Sequence, residues 1–209
     1  MSLSEDVNDK YNEAEYFLEL MRHHEAQYRA AARWGAQSQA NDVMAHLHRF
    51  RYCLSAFLEA TYALRNYILQ SSALSSDDAM AWKDEARQLI SFGAFGALRT
   101  TGVHKNTISL GRRHKVVLKA SLGGIVADRE GELSGPDFVF AESILRRYPA
   151  FKDKDPEVTW LSDHLQEPTV VGRSSQYLAD MADFIKRGRD LRILKAESAA
   201  GESEQNPTG

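Results

Sequence analysis

Residues 39–69 read QANDVMAHLHRFRYCLSAFLEATYALRNYIL. Val43, Leu47, Phe50, Leu54, Phe57, Thr61, Leu64 and Ile68 follow one another in alternating steps of four and three. That spacing matches the 3.6-residue turn of an α-helix and gathers these side chains on one face. Only Thr61 interrupts the apolar stripe. A stripe of this length has to be covered by other helices, so the stretch predicts a mainly α fold, a helical bundle.

The flanking sequence agrees. Glu13 to Trp34 predicts a helix with Phe17, Leu20, Met21, Tyr28 and Ala31 on one side, ending near Gly35, and the short loop to residue 39 favours an antiparallel pair. Ser71 to Ser76 supplies capping residues for a third helix, which starts near Asp77 and carries Trp82, Leu89, Ile90, Phe92 and Phe95. All five prolines lie beyond residue 135, so the first two thirds of the chain lacks the strongest helix breaker. A final helix, about Ser174 to Lys195, carries Tyr177, Leu178, Met181, Phe184, Ile185 and Leu191 and closes the bundle.

Between these helices the pattern changes. Thr107 to Leu110, Lys115 to Lys119 and Gly124 to Ala127 are short, rich in β-branched residues and separated by glycines, which predicts a small β-hairpin or meander inserted after the third helix. Asp137 to Gly172 is punctuated by proline and predicts loops with a short helix near Glu142 to Arg147. The expected organisation is one domain over residues 1–195, with the insertion at about 107–172 and a disordered acidic tail over 196–209.

The chain has 209 residues, 43% hydrophobic and 26% charged, as expected of one globular domain. No stretch approaches the roughly 18 apolar residues of a membrane span, and the acidic start has no signal-peptide pattern, so a cytoplasmic location without membrane contact is expected. The single Cys53 cannot form an internal disulfide and reads as a small core residue. Phosphate-loop, dinucleotide-binding and nucleophile-elbow glycine patterns are absent, so no cofactor is expected.

His46 and His48 are two apart, which turns them about 200° from each other on a helix, so they cannot chelate one metal and read as a solvated face. His23 and His24 are adjacent, with His24 on the apolar stripe as a core histidine. No metal site is expected.

Net charge is only −3, but the distribution is uneven. Arg99 to Ala127 holds Arg99, Lys105, Arg112, Arg113, Lys115 and Lys119 together with His104 and His114, and no Asp or Glu. Lys105, Arg112, Arg113, Lys115 and Lys119 could bind RNA phosphates, or form a solvated hairpin face. Lys186, Arg187, Arg189, Arg192 and Lys195 crowd the end of the last helix, where cations complement the helix dipole.

Within the basic segment, Arg99-Thr-Thr-Gly-Val-His104 sets a permanent cation five residues from a titratable imidazole. Imidazole can exchange a proton near neutrality, and guanidinium can fork onto two phosphate oxygens. Together they suit metal-free phosphodiester cleavage, which needs proton transfer and positive charge at the phosphorane. Five residues on an ideal helix are about 140° apart, so Gly102 matters as a point where the chain could bend. Arg99 could instead simply pair a carboxylate, and His104 begin a loop.

An Arg and a His with four residues between them, at the end of a helix in a bundle, resembles the signature of HEPN (higher eukaryotes and prokaryotes nucleotide-binding) proteins. Phe57-Leu-Glu-Ala-Thr-Tyr-Ala-Leu-Arg65-Asn66 and the Trp82 helix leading into Leu98-Arg99 are similar in order and spacing to bacterial members, and the likeness covers Glu13 to His104 and the final helix. The resemblance implies a four-to-five-helix bundle and a metal-independent endoribonuclease. Arg99 and His104 would be catalytic at the cleft of a homodimer, in a toxin–antitoxin or phage-defence setting with an antitoxin protein as partner. Thr100, Thr61 and Arg65 would support the site, although Thr61 could equally bond its own backbone. Thr100 departs from the Asn, Asp or His common after the family's Arg. That departure keeps a second expectation open, a non-catalytic dimeric module that binds RNA or protein.

Overall fold

The computed structural model describes residues 3–32, 40–71, 77–105, 108–113, 137–163 and 169–190. They form seven α-helices and a two-stranded antiparallel sheet: α1 (Leu3–Ala31), α2 (Ala40–Ser71), α3 (Asp77–Gln88), α4 (Ile90–Lys105), β1 (Gly111–Arg113), β2 (Asp137–Val139), α5 (Glu142–Leu145), α6 (Asp155–Ser162) and α7 (Val170–Asp190). A turn of 3₁₀ helix, Pro149–Phe151, lies between α5 and α6.

The stripe that defines α2 is buried as predicted: Leu47, Phe50, Leu54, Phe57, Thr61, Leu64 and Ile68 are all inside. Its main partner is α1, whose Ala14, Leu18, Met21, Glu25 and Tyr28 recur at helical spacing and are equally buried. The two helices make the expected long pair.

From the other side α2 packs on α4, which also contacts α3, α6 and α7. Phe57, Phe92, Phe95, Tyr177 and Phe184 interlock there through edge-to-face and stacked contacts. Aromatic rings bury large areas and gain further from such geometries, so this cluster anchors α4, and with it Arg99.

Two expectations are corrected. The third helix is not continuous to His104: it breaks at Leu89, whose carbonyl accepts the N–H groups of Phe92 at 3.0 Å and Gly93 at 3.2 Å, and the chain resumes as α4. Gly102 introduces no bend, since α4 runs through it to Lys105.

The hairpin expectation is met in kind and shifted in place. Ile108 to Leu110 belongs to no strand, and the ladder begins at the next residue, with Gly111 opposite Val139 and Arg113 opposite Asp137. A Cβ at Gly111 would stand 3.0 Å from side-chain carbons of both Ala141 and Val139, so glycine permits the close approach that starts the pairing. Residues 114–136 lie outside the described residues, including the expected strands Lys115 to Lys119 and Gly124 to Ala127, as does the tail beyond Asp190. The segment expected to be mostly loops carries an additional helix, α6, which packs on α4. No described helix is long and apolar enough to cross a membrane.

Candidate functional site

Arg99 lies in the third turn of α4 and reaches across to α2. Its guanidinium carbon sits 4.1 Å from the centroid of the Tyr62 ring, and Glu59 accepts hydrogen bonds from Nε at 3.2 Å and from Nη2 at 3.3 Å. Glu59 and Tyr62 are three apart on α2 and so share a face. One holds the charge, and the other supports the plane of the fork.

The ion pair is wet: the side chain of Arg99 is 28% exposed and that of Glu59 52%. A pair of this kind contributes only about 0–1 kcal/mol. Arg99 is therefore oriented without being locked.

The supporting residues separate into two kinds. Thr61 is buried; its hydroxyl donates to the carbonyl of Phe57 at 2.9 Å, the local backbone bond the sequence also allows, and faces Tyr177. Thr100 is exposed, with its hydroxyl donating to Gly96 O at 2.9 Å. Arg65 is half-buried, one turn beyond Thr61.

Positions 99 and 104 belong to the same unbroken helix and are about 140° apart around its axis. The side chains of His104, Lys105 and Arg113 lie outside the described residues, as do Lys115 and Lys119 entirely. Arg112 is exposed, and its guanidinium carbon lies 5.8 Å from the Tyr28 ring, on α1 rather than on the α2 helix that carries Arg99's partners. The expected phosphate-binding row is not brought to Arg99 by any described residue.

What lies beside Arg99 instead is a groove of about 640 Å³, lined by Tyr62, Arg65, Arg87, Gly93, Gly96, Thr100, Lys154 and Glu157 among others. Its floor is made by α4, where glycine at 93 and 96 leaves room. A Cβ at Gly93 would meet Glu157 Oε1 at 2.7 Å, and one at Gly96 would stand 3.5 Å from Arg65 Nη1. The sequence alone does not single out the groove residues Tyr62, Arg87, Lys154 and Glu157, nor Glu59. Glu59 and Tyr62 carried a faint signal, as polar groups one turn from the stripe. Lys154 and Glu157 carried none, because α6 itself was not foreseen.

Behind the groove the Tyr177 hydroxyl is fully buried, and burial pushes its pKa far up despite the nearby charge of Arg65. It stays neutral and cannot act as counter-charge to Arg65. Cys53 is buried, which also pushes its thiol up, so the core role expected for it holds.

The histidines depart from expectation. His46 is half-buried rather than solvated, and its Nδ1 lies 3.5 Å from Nδ1 of His24 across the α1–α2 interface, while His48 is exposed. Among the described residues no three His, Cys, Asp or Glu side chains cluster as metal ligands. No protein-family model, curated protein or solved structure matches the chain.

Proposed function

We propose that the chain is an RNA-directed protein of HEPN type, a metal-independent endoribonuclease that works as a homodimer. The observation that carries the reading is the setting of Arg99, a part-exposed guanidinium oriented by Tyr62 and only loosely held by Glu59. Phosphate oxygens can displace a solvated carboxylate from such a fork, since Arg–phosphate pairs form the same two parallel bonds.

His104 handles the proton: as base it takes the 2′-hydroxyl proton, and as acid it gives a proton to the leaving 5′-oxygen. One imidazole does not do both in one step. The unbroken helix also turns positions 99 and 104 of one chain away from each other. Both facts call for two copies, with the imidazole of one protomer set against the guanidinium of the other in a shared cleft. A toxin or phage-defence role in a bacterial cytoplasm, with an antitoxin protein as partner, belongs to the same reading.

A second reading is favoured by Glu59. A guanidinium already forked onto a carboxylate, next to Thr100 in place of the family's usual polar residue, suits a dimeric module that binds RNA or protein without cutting. The test is incubation of structured and single-stranded RNA with the purified chain in EDTA, alongside His104→Ala and Arg99→Ala variants whose dimerisation is checked by light scattering. Cleavage by wild type, lost in both dimeric variants, is the expected result. RNA binding without cleavage gives the second reading, and a monomer that ignores RNA ends both.

A further inference from the structure

The groove beside Arg99 holds a cation, Arg65, for which the described residues supply no ion pair. Arg65 reaches it from α2 and also lines the narrow slot behind it, towards Tyr177. Its Nε is buried without a hydrogen-bond partner. A buried donor left unpaired costs about 1–3 kcal/mol, more when the group is charged.

The neighbouring carboxylates are engaged elsewhere. Glu59 accepts from Arg99, and Glu157 accepts from Lys154 at 3.2 Å. Tyr177 stays neutral. Arg65 lies close over the α4 backbone: a Cβ at Gly96 would stand in ordinary contact with Nη1, at 3.5 Å. Arg87, which also bonds Asp84 at 2.5 Å, and Lys154 add two further cations to the lining.

We propose that this groove binds a phosphomonoester, with Arg65 forking onto its oxygens at the floor and Lys154 and Arg87 facing it from the sides. A dianion suits a guanidinium without a carboxylate partner among the described residues, flanked by Arg87 and Lys154, whose ion pairs with Asp84 and Glu157 leave Arg65 unmatched, and planar guanidinium is the group best matched to phosphate. The volume is within the usual range of small-ligand sites, roughly 300–1,000 Å³. The phosphate can come from a free small molecule or from the terminal phosphate of an RNA chain. The second source rests on the RNA reading above; the first does not.

The experiment titrates wild type with inorganic phosphate by calorimetry, and then with one oligoribonucleotide carrying either a 5′-phosphate or a 5′-hydroxyl, by fluorescence anisotropy. Saturable phosphate binding is expected, weakened about tenfold or more in Arg65→Gln, as for loss of a charge-assisted fork. Lys154→Gln, on the surface and harmless to the core, weakens it less, and Glu157→Gln strengthens it by releasing Lys154. A 5′-phosphate preference that inorganic phosphate competes away identifies the RNA terminus as the source. Phosphate binding without that preference identifies a free small phosphate. If wild type shows no saturable phosphate binding, or the three variants bind as wild type does, the site is disproved. Equal binding of both oligonucleotides in that case leaves the RNA reading standing, whereas phosphate binding with no RNA binding removes the RNA reading and keeps the site.

Discussion

Phe138 donates its backbone N–H to the buried carboxylate of Glu25 at 3.1 Å, tying the C-terminal end of α1 to strand β2 across 113 residues of sequence. Burial pushes the Glu25 carboxyl above its ordinary value, and the Phe138 N–H and Arg29 offset part of the rise. A carboxyl raised in the folded state holds its proton more tightly there than when unfolded. Its stability contribution is therefore full below the ordinary pKa of 4.5 and falls as pH rises through the higher folded value. Glu25→Gln keeps an oxygen for Phe138 without the charge, so at neutral pH its stability should stay within about 1 kcal/mol of wild type and lose that pH dependence. Glu25→Ala orphans the N–H and should cost about 1–3 kcal/mol. Urea denaturation at pH 4 and pH 7 checks both, and equal losses in the two variants would refute the account.

Trp82 fastens α3 to α7. Its indole stacks on Phe184 with centroids 4.2 Å apart and planes 4° from parallel, and Nε1 donates to the Phe184 carbonyl at 3.2 Å. Trp82→Ala removes a large buried ring and should destabilise by about 3–5 kcal/mol. Trp82→Phe keeps much of the ring and loses the donor, for a smaller loss of about 1–2 kcal/mol. Chemical denaturation should rank the variants in that order. Indistinguishable midpoints would mean that the α3–α7 contact does not hold the bundle.

The helices that could be read from sequence were those whose burial follows one period. α2 declares itself because its whole buried face recurs at 3.6 residues, and α7 for the same reason. The break at Leu89 did not, since no proline or glycine stands there and the two helices share an apolar run. α6 was hidden by Pro156, read as a breaker although it falls in the first helical turn, where the missing N–H is not needed. The same limit shaped the site. Arg99, Arg65 and Thr61 stood out by type, but the carboxylate that answers Arg99 is 40 residues away on another helix, and no local pattern specifies that Glu59 rather than Glu157 meets it.

The His24–His46 contact makes the α1–α2 interface sensitive to acid. Burial lowers the His24 pKa first, with His23, His46 and Arg49 adding repulsion, so the folded value lies below the ordinary 6.5. The unfolded chain then binds the proton more readily. Stability is full above the ordinary value and is lost as pH falls through 6.5 towards the folded pKa. Denaturant midpoints between about pH 7.5 and 5 should fall for wild type and fall less for His24→Gln, which cannot charge. Parallel curves for the two proteins would show that another group controls the acid response.

If the chain binds RNA as proposed, Glu59 is a brake on Arg99. It pairs a guanidinium that also lies over the Tyr62 ring, so removing the carboxylate's charge should free the fork while the ring contact still orients it. Glu59→Gln should raise RNA affinity a few-fold and add about one phosphate contact, steepening the slope of log affinity against log salt by about 0.7 for a single strand. The gain must vanish when Arg99→Ala is introduced as well, because the effect of residue 59 runs through residue 99. Anisotropy titrations at several salt concentrations on the four proteins of that cycle measure the coupling. An additive cycle, with Glu59→Gln raising affinity even without Arg99, would mean that Glu59 acts only through its general field, and Arg99 would lose its claim as the phosphate-binding group.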